Sequence, residues 1–589
     1  MEDRSLLQRL KDRKMVQWAL AYLAGAWVLL EAAGHVGDQF GWPGIVQQSL
    51  IVLAGFGFLV VLVIAWYHGE KGRQWVSGPE LLIIALLLLI SGGVLSMLRE
   101  DGPPAAPSSV GMEGDGKPGV AVLPCENFSG DPEDAYLANG IHNEILLKLS
   151  KIHALRSIGR ESVKRYQQQP IPMRELAAQL GVVYVGECSV QRIQNRIRVI
   201  FQLTNGEDGT QLWADDYDQD YTPDNLENLF EMQSDIARQV ADALEAEILP
   251  EEKLRIESRP TESLEAYDLY LLGRSYWNEF SEAGFQRAIA LFEEAVAVDP
   301  GFARAHAGIA DSYALLTQGW GTPPVEVFPE VREAAEAALR LDPNLPDAHT
   351  SLGGVLLFFD WDMDGAEDEF RRALELDPNY SNAHHWLAIT LMARGRYDEM
   401  LAEAGEALAV DPMSPYVNMN MGYFLYVAGD YQGAVDHYDR TIPLFPEHPL
   451  FFAFRGLARI HSGDLPEAIA DLEQAVELAE DDTLIPLPFL GYAYGMAGRD
   501  SDARDVLSRL QEVDRERFVN PDYFAVVYMG LGETDHAVEW LIRARDAWTD
   551  WAMWLPVDPV FFPLHSDSRF RDLVREVGLE EVLRDAILP

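Results

Sequence analysis

Two cysteines, Cys125 and Cys188, are the only thiols in the chain. In an oxidising compartment they can bridge, provided that their segments are neighbours with both side chains on one face. The other reading is two buried, inert thiols. His306, His349 and His384 each lie seven residues after the aspartate of an Asp-Pro pair. Imidazoles bind metals and carry protons, but a spacing of one whole structural repeat holds these three too far apart to share an ion, and packing between helices accounts for them. His384 and His385 are adjacent on one helix and so point in different directions, and no H-E-x-x-H accompanies them. Residues 360–365 begin like a calcium loop, yet the twelfth position, where a bidentate glutamate belongs, is Arg371. A turn in which Asp364 caps the next helix is the better account. Residues 111–117 match half of a phosphate-binding loop, but Pro118 replaces the required Ser or Thr and no strand precedes. There is no G-x-S-x-G elbow, no G-x-G-x-x-G after a strand and no cysteine in a catalytic motif. No catalytic residue, metal site or cofactor is expected.

What must position these residues is a chain of 589 residues, long enough for several domains. With 46 Lys and Arg against 94 Asp and Glu, its formal charge is −48. Such a surface repels phosphates, which excludes nucleic acid as a partner.

The second half is punctuated by Asp299-Pro300, Asp342-Pro343, Asp377-Pro378 and Asp411-Pro412, then by Phe445-Pro446. The later steps are about 34 residues, the period of a helix-pair solenoid. Small residues (Ala310, Gly353, Ala388, Gly422, Gly456, Gly491 and Ala525) fall where two helices cross closely, and Ala434, Ala468, Ala503 and Ala537 each follow one of the last four by about twelve residues. Each proline stops the second helix of its unit. On these features the region 250–548 resembles tetratricopeptide repeats, in about eight helix pairs, and 549–589 reads as a terminal cap. The resemblance implies a concave face lined by the first helix of each unit. In that register Asn382, His385, Tyr416, Met419, Tyr423, Tyr426, Leu450, Leu457, Ile485 and Tyr492 line a peptide groove. Tyrosine and methionine suit an interface for extended or helical peptides; the other reading is that some of these side chains fill the superhelix interior.

Three apolar runs open the chain at 15–33, 48–67 and 80–98. Each is long enough to cross a bilayer as a helix. Arg4, Arg9, Lys11, Arg13 and Lys14 precede the first, and the first loop carries no Lys or Arg. That bias predicts a multi-pass anchor in the inner (cytoplasmic) membrane, with the N-terminus cytoplasmic and everything beyond residue 100 periplasmic or extracytoplasmic. Residues 101–117, rich in Gly, Pro, Ala and Ser, read as a flexible linker.

Residues 118–249 mix strand and helix patterns. The sequence predicts a strand at 119–124, a helix capped by Asp131 with Pro132 at its first position, and a strand at 154–158. A helix at 173–180, a hairpin (182–193 with 196–204), a strand at 210–217 and an amphipathic helix at 226–248 follow. The stretches VAVLPCENFSGDPEDAYLANGIHNEI, GVVYVGECSVQR and RIRVIFQLTNGEDGTQLWADDYDQD resemble the module related to the amino-terminal domain of TolB and to FlgO. The resemblance implies a non-catalytic assembly or sensing domain, and Cys125 and Cys188 stand where relatives are expected to carry Phe and Gly.

The expected fold is therefore multidomain: three transmembrane helices, an α+β sandwich and an all-α solenoid. The expected function is a membrane-anchored, non-catalytic scaffold that binds a protein or peptide, an envelope protein by preference, with lipid contact through the three spans. The alternative is a membrane sensory or regulatory protein relaying an external signal to a cytoplasmic partner. An enzyme acting on the envelope would rest on acidic residues alone.

Overall fold

Every second residue from Ile197 to Leu203 is apolar and fully buried, the period of a strand with one covered face. The computed structural model describes residues 116–585, apart from 132–133, 169, 280, 317–323, 480–482, 548 and 550–554. It places this strand in a six-stranded mixed sheet. The elements in order are β1 (Gly119–Val122), β2 (Glu126–Asn127), α1 (Ala135–Ser150), β3 (Arg156–Ser157), α2 (Arg160–Gln168) and α3 (Met173–Leu180). Then come β4 (Tyr184–Ile193), β5 (Arg196–Asn205), β6 (Gln211–Asp220), α4 (Leu226–Ala243) and α5 (Pro250–Ile256). The strand order is β3-β1-β4-β5-β6, with β2 also on β4. β1 and β2 run parallel to β4, and β4, β5 and β6 form an antiparallel meander. Val120 and Val122 share one core with α1 and α4, whereas Ala121 and Val185 share another with Val163 of α2 and Leu176 and Leu180 of α3. The sheet is thus covered on both faces at its β1 end, and β6 is largely exposed.

The local readings differ from the structure in two places. Helix α1 is described from Ala135, and the expected first position, Pro132, lies outside the described residues. The strongly polar α2 escaped the sequence reading because only Val163 and Tyr166 among its apolar side chains turn inward. Helix α4 stops at Ala243, and Glu245 just beyond it adopts the left-handed region at φ 53°.

Among the described residues eight helix pairs follow. They are α6 (Leu264–Trp277) with α7 (Glu282–Val298), α8 (Ala303–Leu316) with α9 (Pro324–Leu341), α10 (Pro346–Val355) with α11 (Met363–Leu376), and α12 (Ser381–Ala393) with α13 (Tyr397–Val410). The remaining four are α14 (Pro415–Val427) with α15 (Tyr431–Thr441), α16 (Pro449–Ser462) with α17 (Leu465–Ala479), α18 (Pro486–Met496) with α19 (Asp500–Asp514), and α20 (Pro521–Gly530) with α21 (Thr534–Asp546). Close crossing explains the small residues: a Cβ on Gly422 would stand 2.3 Å from the Tyr438 ring, and one on Gly353 would stand 2.7 Å from the Phe370 ring. Asp362, not Asp364, caps α11 by accepting the Gly365 N–H at 3.0 Å, while Asp364 pairs with Arg394 at 2.7 Å. Among the described residues no group of His, Cys, Asp and Glu could hold a metal ion.

The aspartates of two Asp-Pro pairs do more than end helices. Asp411 accepts the N–H of Ser162 at 2.9 Å and also its hydroxyl, and Ser162 Oγ accepts the Met413 N–H at 2.8 Å. One repeat earlier Asp377 accepts the Ser150 hydroxyl at 2.6 Å, and Asn379 donates to the carbonyls of Ser150 and Leu155 at 2.8 and 3.1 Å. Arg304 grips Glu144 of α1 through two bonds of 2.9 and 2.6 Å. The sheet domain is therefore locked along the loop edge of the solenoid, and the described residues fall in one compact unit.

The chain closes with a 3-10 turn at Pro559–Leu564, then α22 (Ser568–Glu576) and α23 (Glu580–Asp585). Gly578, whose φ is +79°, separates these two helices.

The expected membrane anchor is corrected. Among the described residues no helix is long and apolar enough to cross a membrane. The three apolar runs at 15–33, 48–67 and 80–98 lie outside the described residues. The fold described is a sheet domain followed by an all-α solenoid, without a membrane-spanning element. The multi-pass inner-membrane location, with the lipid contact and envelope partner that depended on it, has no support in this structure.

Candidate peptide groove

Helices α14, α16 and α18 are the first helices of three successive pairs, so their inner faces lie side by side. Tyr423 and Tyr426 are three residues apart on α14 and share its inner stripe, with their ring centres 5.6 Å apart. Phe454 of α16 stands 5.3 Å from the Tyr423 ring, and His461 of the same helix stands 5.3 Å from Tyr426. Tyr492 of α18 stacks on His461 at 6.2 Å.

A residue from the far end of the chain, Asp558, enters this aromatic box. Leu555, Val557, Val560, Phe561 and Leu564 are buried in the same core as the groove helices. Asp558 sits among them, fully buried. Its carboxylate accepts the Tyr423 hydroxyl at 2.8 Å, the Tyr426 hydroxyl at 3.2 Å and the backbone N–H of Val560 at 2.9 Å. Burial pushes its pKa up, opposed by those hydrogen bonds and by His461. Burial pushes the His461 ring down, while its bond to the Leu457 carbonyl works the other way. The site therefore holds a carboxylate between hydroxyl donors and aromatic faces rather than against a cation.

The expected groove residues divide accordingly. Tyr423, Tyr426 and Tyr492 surround Asp558, and Met419 and Leu457 are buried in the same core. Leu450, Ile485 and Tyr416 are partly buried against it. His385 lies among side chains of the neighbouring repeat. It is buried with Tyr416 and Phe424 at 4.4 and 5.9 Å, its Nε2 lacks a partner, and burial lowers its pKa to about 3. Asn382 lies at the start of α12, hydrogen-bonded to the Tyr380 side chain. Asp558, His461 and Phe454 were missed. The available signal was a lone carboxylate inside an apolar, proline-punctuated run, LPVDPVFFPL.

The recurrent histidines are structural ties. His349 bridges Glu369 at 2.5 Å and the Pro343 carbonyl at 3.0 Å, and His384 does the same with Glu403 at 2.7 Å and Pro378 at 3.1 Å. In the next repeat Asn418 takes the register and donates to the Pro412 carbonyl at 2.8 Å.

Cys125 lies in the link between β1 and β2, both of which pair with β4, and this carries it across Cys188. The two Cα atoms are 4.6 Å apart and the sulfurs are joined.

A family model described as Tetratricopeptide repeat matches residues 369–402, and a second of the same description matches 386–449 and 428–483. Residues 369–483 are thus tetratricopeptide repeats, a protein-interaction architecture. A curated relative, "Putative adenylate cyclase 3" of Rhizobium meliloti (strain 1021), is 35% identical over 243 residues, covering 41% of this chain. The chain spans about 40% of that relative's length. Among solved structures, the type IV pilus biogenesis factor PilW overlays at 18% identity and a TM-score of 0.31, covering 36% of this chain and 92% of its own. Pseudomonas aeruginosa PilF overlays at 19% identity and 0.29, covering 38% and 96%.

Proposed function

We propose that this chain is a protein-binding scaffold whose concave face on α14, α16 and α18 receives an extended protein segment. The observation that carries the reading is a chain segment already there: Asp558 is bonded to Tyr423 and Tyr426 and lies within electrostatic reach of His461 and Tyr492, side chains of three successive repeats. Aromatic rings that combine a large apolar face with a hydroxyl donor are well suited to hold such a segment. The likeness of residues 118–249 to the TolB and FlgO module belongs to the same proposal, supported by the quoted stretches and the order of sheet and helices. Panning a displayed peptide library on the whole chain tests the groove. Recovered peptides should lose binding when Tyr423 and Tyr426 are changed to phenylalanine, and peptides indifferent to both changes would refute the assignment.

A second reading, regulation of an output carried elsewhere, is favoured by the match to a protein named as a putative adenylate cyclase. The locked junction supplies a physical route, since Asp377 and Asp411 tie the repeats to the sheet domain. Altered hydrogen exchange in α1 on filling the groove would support it, and unaltered exchange would count against it.

A further inference from the structure

The resident segment also states what the groove prefers. A buried charge is costly unless it is paired and hydrogen-bonded. Asp558 is fully buried, and its carboxyl group is met by two tyrosine hydroxyls and one backbone N–H, with the His461 ring close enough to act on it electrostatically. A segment needed only to plug an apolar groove would carry an apolar residue here, because matched hydrophobic packing avoids the desolvation cost of a charge. The prolines at 556, 559 and 563 hold the flanking backbone near the extended or 3-10 form, so little conformational freedom is lost when such a segment is seated. The backbone bonds of the segment are local, from Phe561 N–H to the Asp558 carbonyl and from His565 N–H to the Phe562 carbonyl. Side chains hold it in place: the Asp558 carboxyl group in the tyrosine box, and Val557, Val560, Phe561 and Leu564 buried in the surrounding core.

Resting on the groove reading above, we propose that the box formed by Tyr423, Tyr426, His461 and Tyr492 selects a partner protein's extended segment in which one aspartate stands between apolar and proline residues. The chain's own Leu555 to Leu564 is the resident copy of that segment, and the partner binds by displacing it. The groove is then closed to peptides of other chemistry, and its apparent affinity for the right one is lowered by the intramolecular competitor, whose effective concentration is high.

The test uses the full chain and a fluorescent peptide of the sequence LPVDPVFFPLH, followed by anisotropy. Wild type should bind it weakly. Asp558→Ala, which weakens the resident segment, should bind it at least tenfold more tightly. Asp558→Asn, which keeps the shape, should give a smaller gain and serves if the alanine variant does not fold. A peptide with asparagine in place of its aspartate should bind the opened chain at least tenfold more weakly. The proposal is overturned if both folded variants bind the peptide no better than wild type. Equal binding of the aspartate and asparagine peptides would also overturn it. So would concentration-dependent dimers of the variants, which would mean that the segment trades between copies of the chain. If peptides of unrelated chemistry bind the opened chain and still require Tyr423 and Tyr426, this selectivity fails while the groove itself stands.

Discussion

The Tyr426 hydroxyl donates to Asp558 Oδ1 across 132 residues of sequence, joining the first helix of a central repeat to the closing turn of the chain. Replacing Tyr426 with phenylalanine leaves a buried carboxylate short of one donor. A bond to a charged acceptor contributes about 1.5–3 kcal/mol, so a loss of that order is expected in urea unfolding. Tyr423→Phe should act similarly, and because the two share one acceptor the double change should depart from additivity.

The junction should respond to pH. Burial pushes Asp411 up to about 7, against the opposing bonds from Ser162. The folded state thus holds a proton that the unfolded chain releases near the ordinary aspartate value. The contribution of Asp411 is fully present below that lower value and is lost as pH rises through about 7. Stability measured between these limits should fall with rising pH, and Asp411→Asn should flatten the slope. An unchanged slope would remove Asp411 as its source.

Two glycine substitutions should move stability in opposite directions. A methyl on Gly422 meets the Tyr438 ring at 2.3 Å, and overpacking of that kind costs about 1–3 kcal/mol. Gly405 on α13 has nothing within 4 Å of its added Cβ. Gly405→Ala should therefore stabilise by about 0.5–1 kcal/mol through helix propensity alone. Thermal melts of the two variants check both signs.

Cys125 and Cys188 close a loop of sequence separation 63. Mass measurement after alkylation without reductant should find neither thiol modified. Reduction should then lower stability by about 2–4 kcal/mol, the usual range for a bridge. Two alkylated thiols in the unreduced chain would show that the bond does not form.

Much of the architecture is local and was readable. Pro378 and Pro412 end helices because proline cannot donate to the preceding turn, and Gly353 and Gly422 mark crossings where a larger residue has no room. The alternation through Ile197, Val199, Phe201 and Leu203 marks a strand wherever it is placed. At His385 a groove position and a core position share one helical register, and only the packing of Tyr416 and Phe424 around it shows that the ring is buried.

By itself, the sequence determined the period of the repeats, most of the strands and helices of the sheet domain, and the net acidity, because each follows from composition or from neighbours along the chain. Only the tertiary structure decided that Asp377 and Asp411 fasten the sheet domain to the solenoid and that Asp558 occupies the tyrosine box. Those partners are more than a hundred residues apart, and a lone aspartate carries the same letter whether it faces water, ends a helix or is buried against two hydroxyls. Its role is fixed by which surfaces the folded chain brings together.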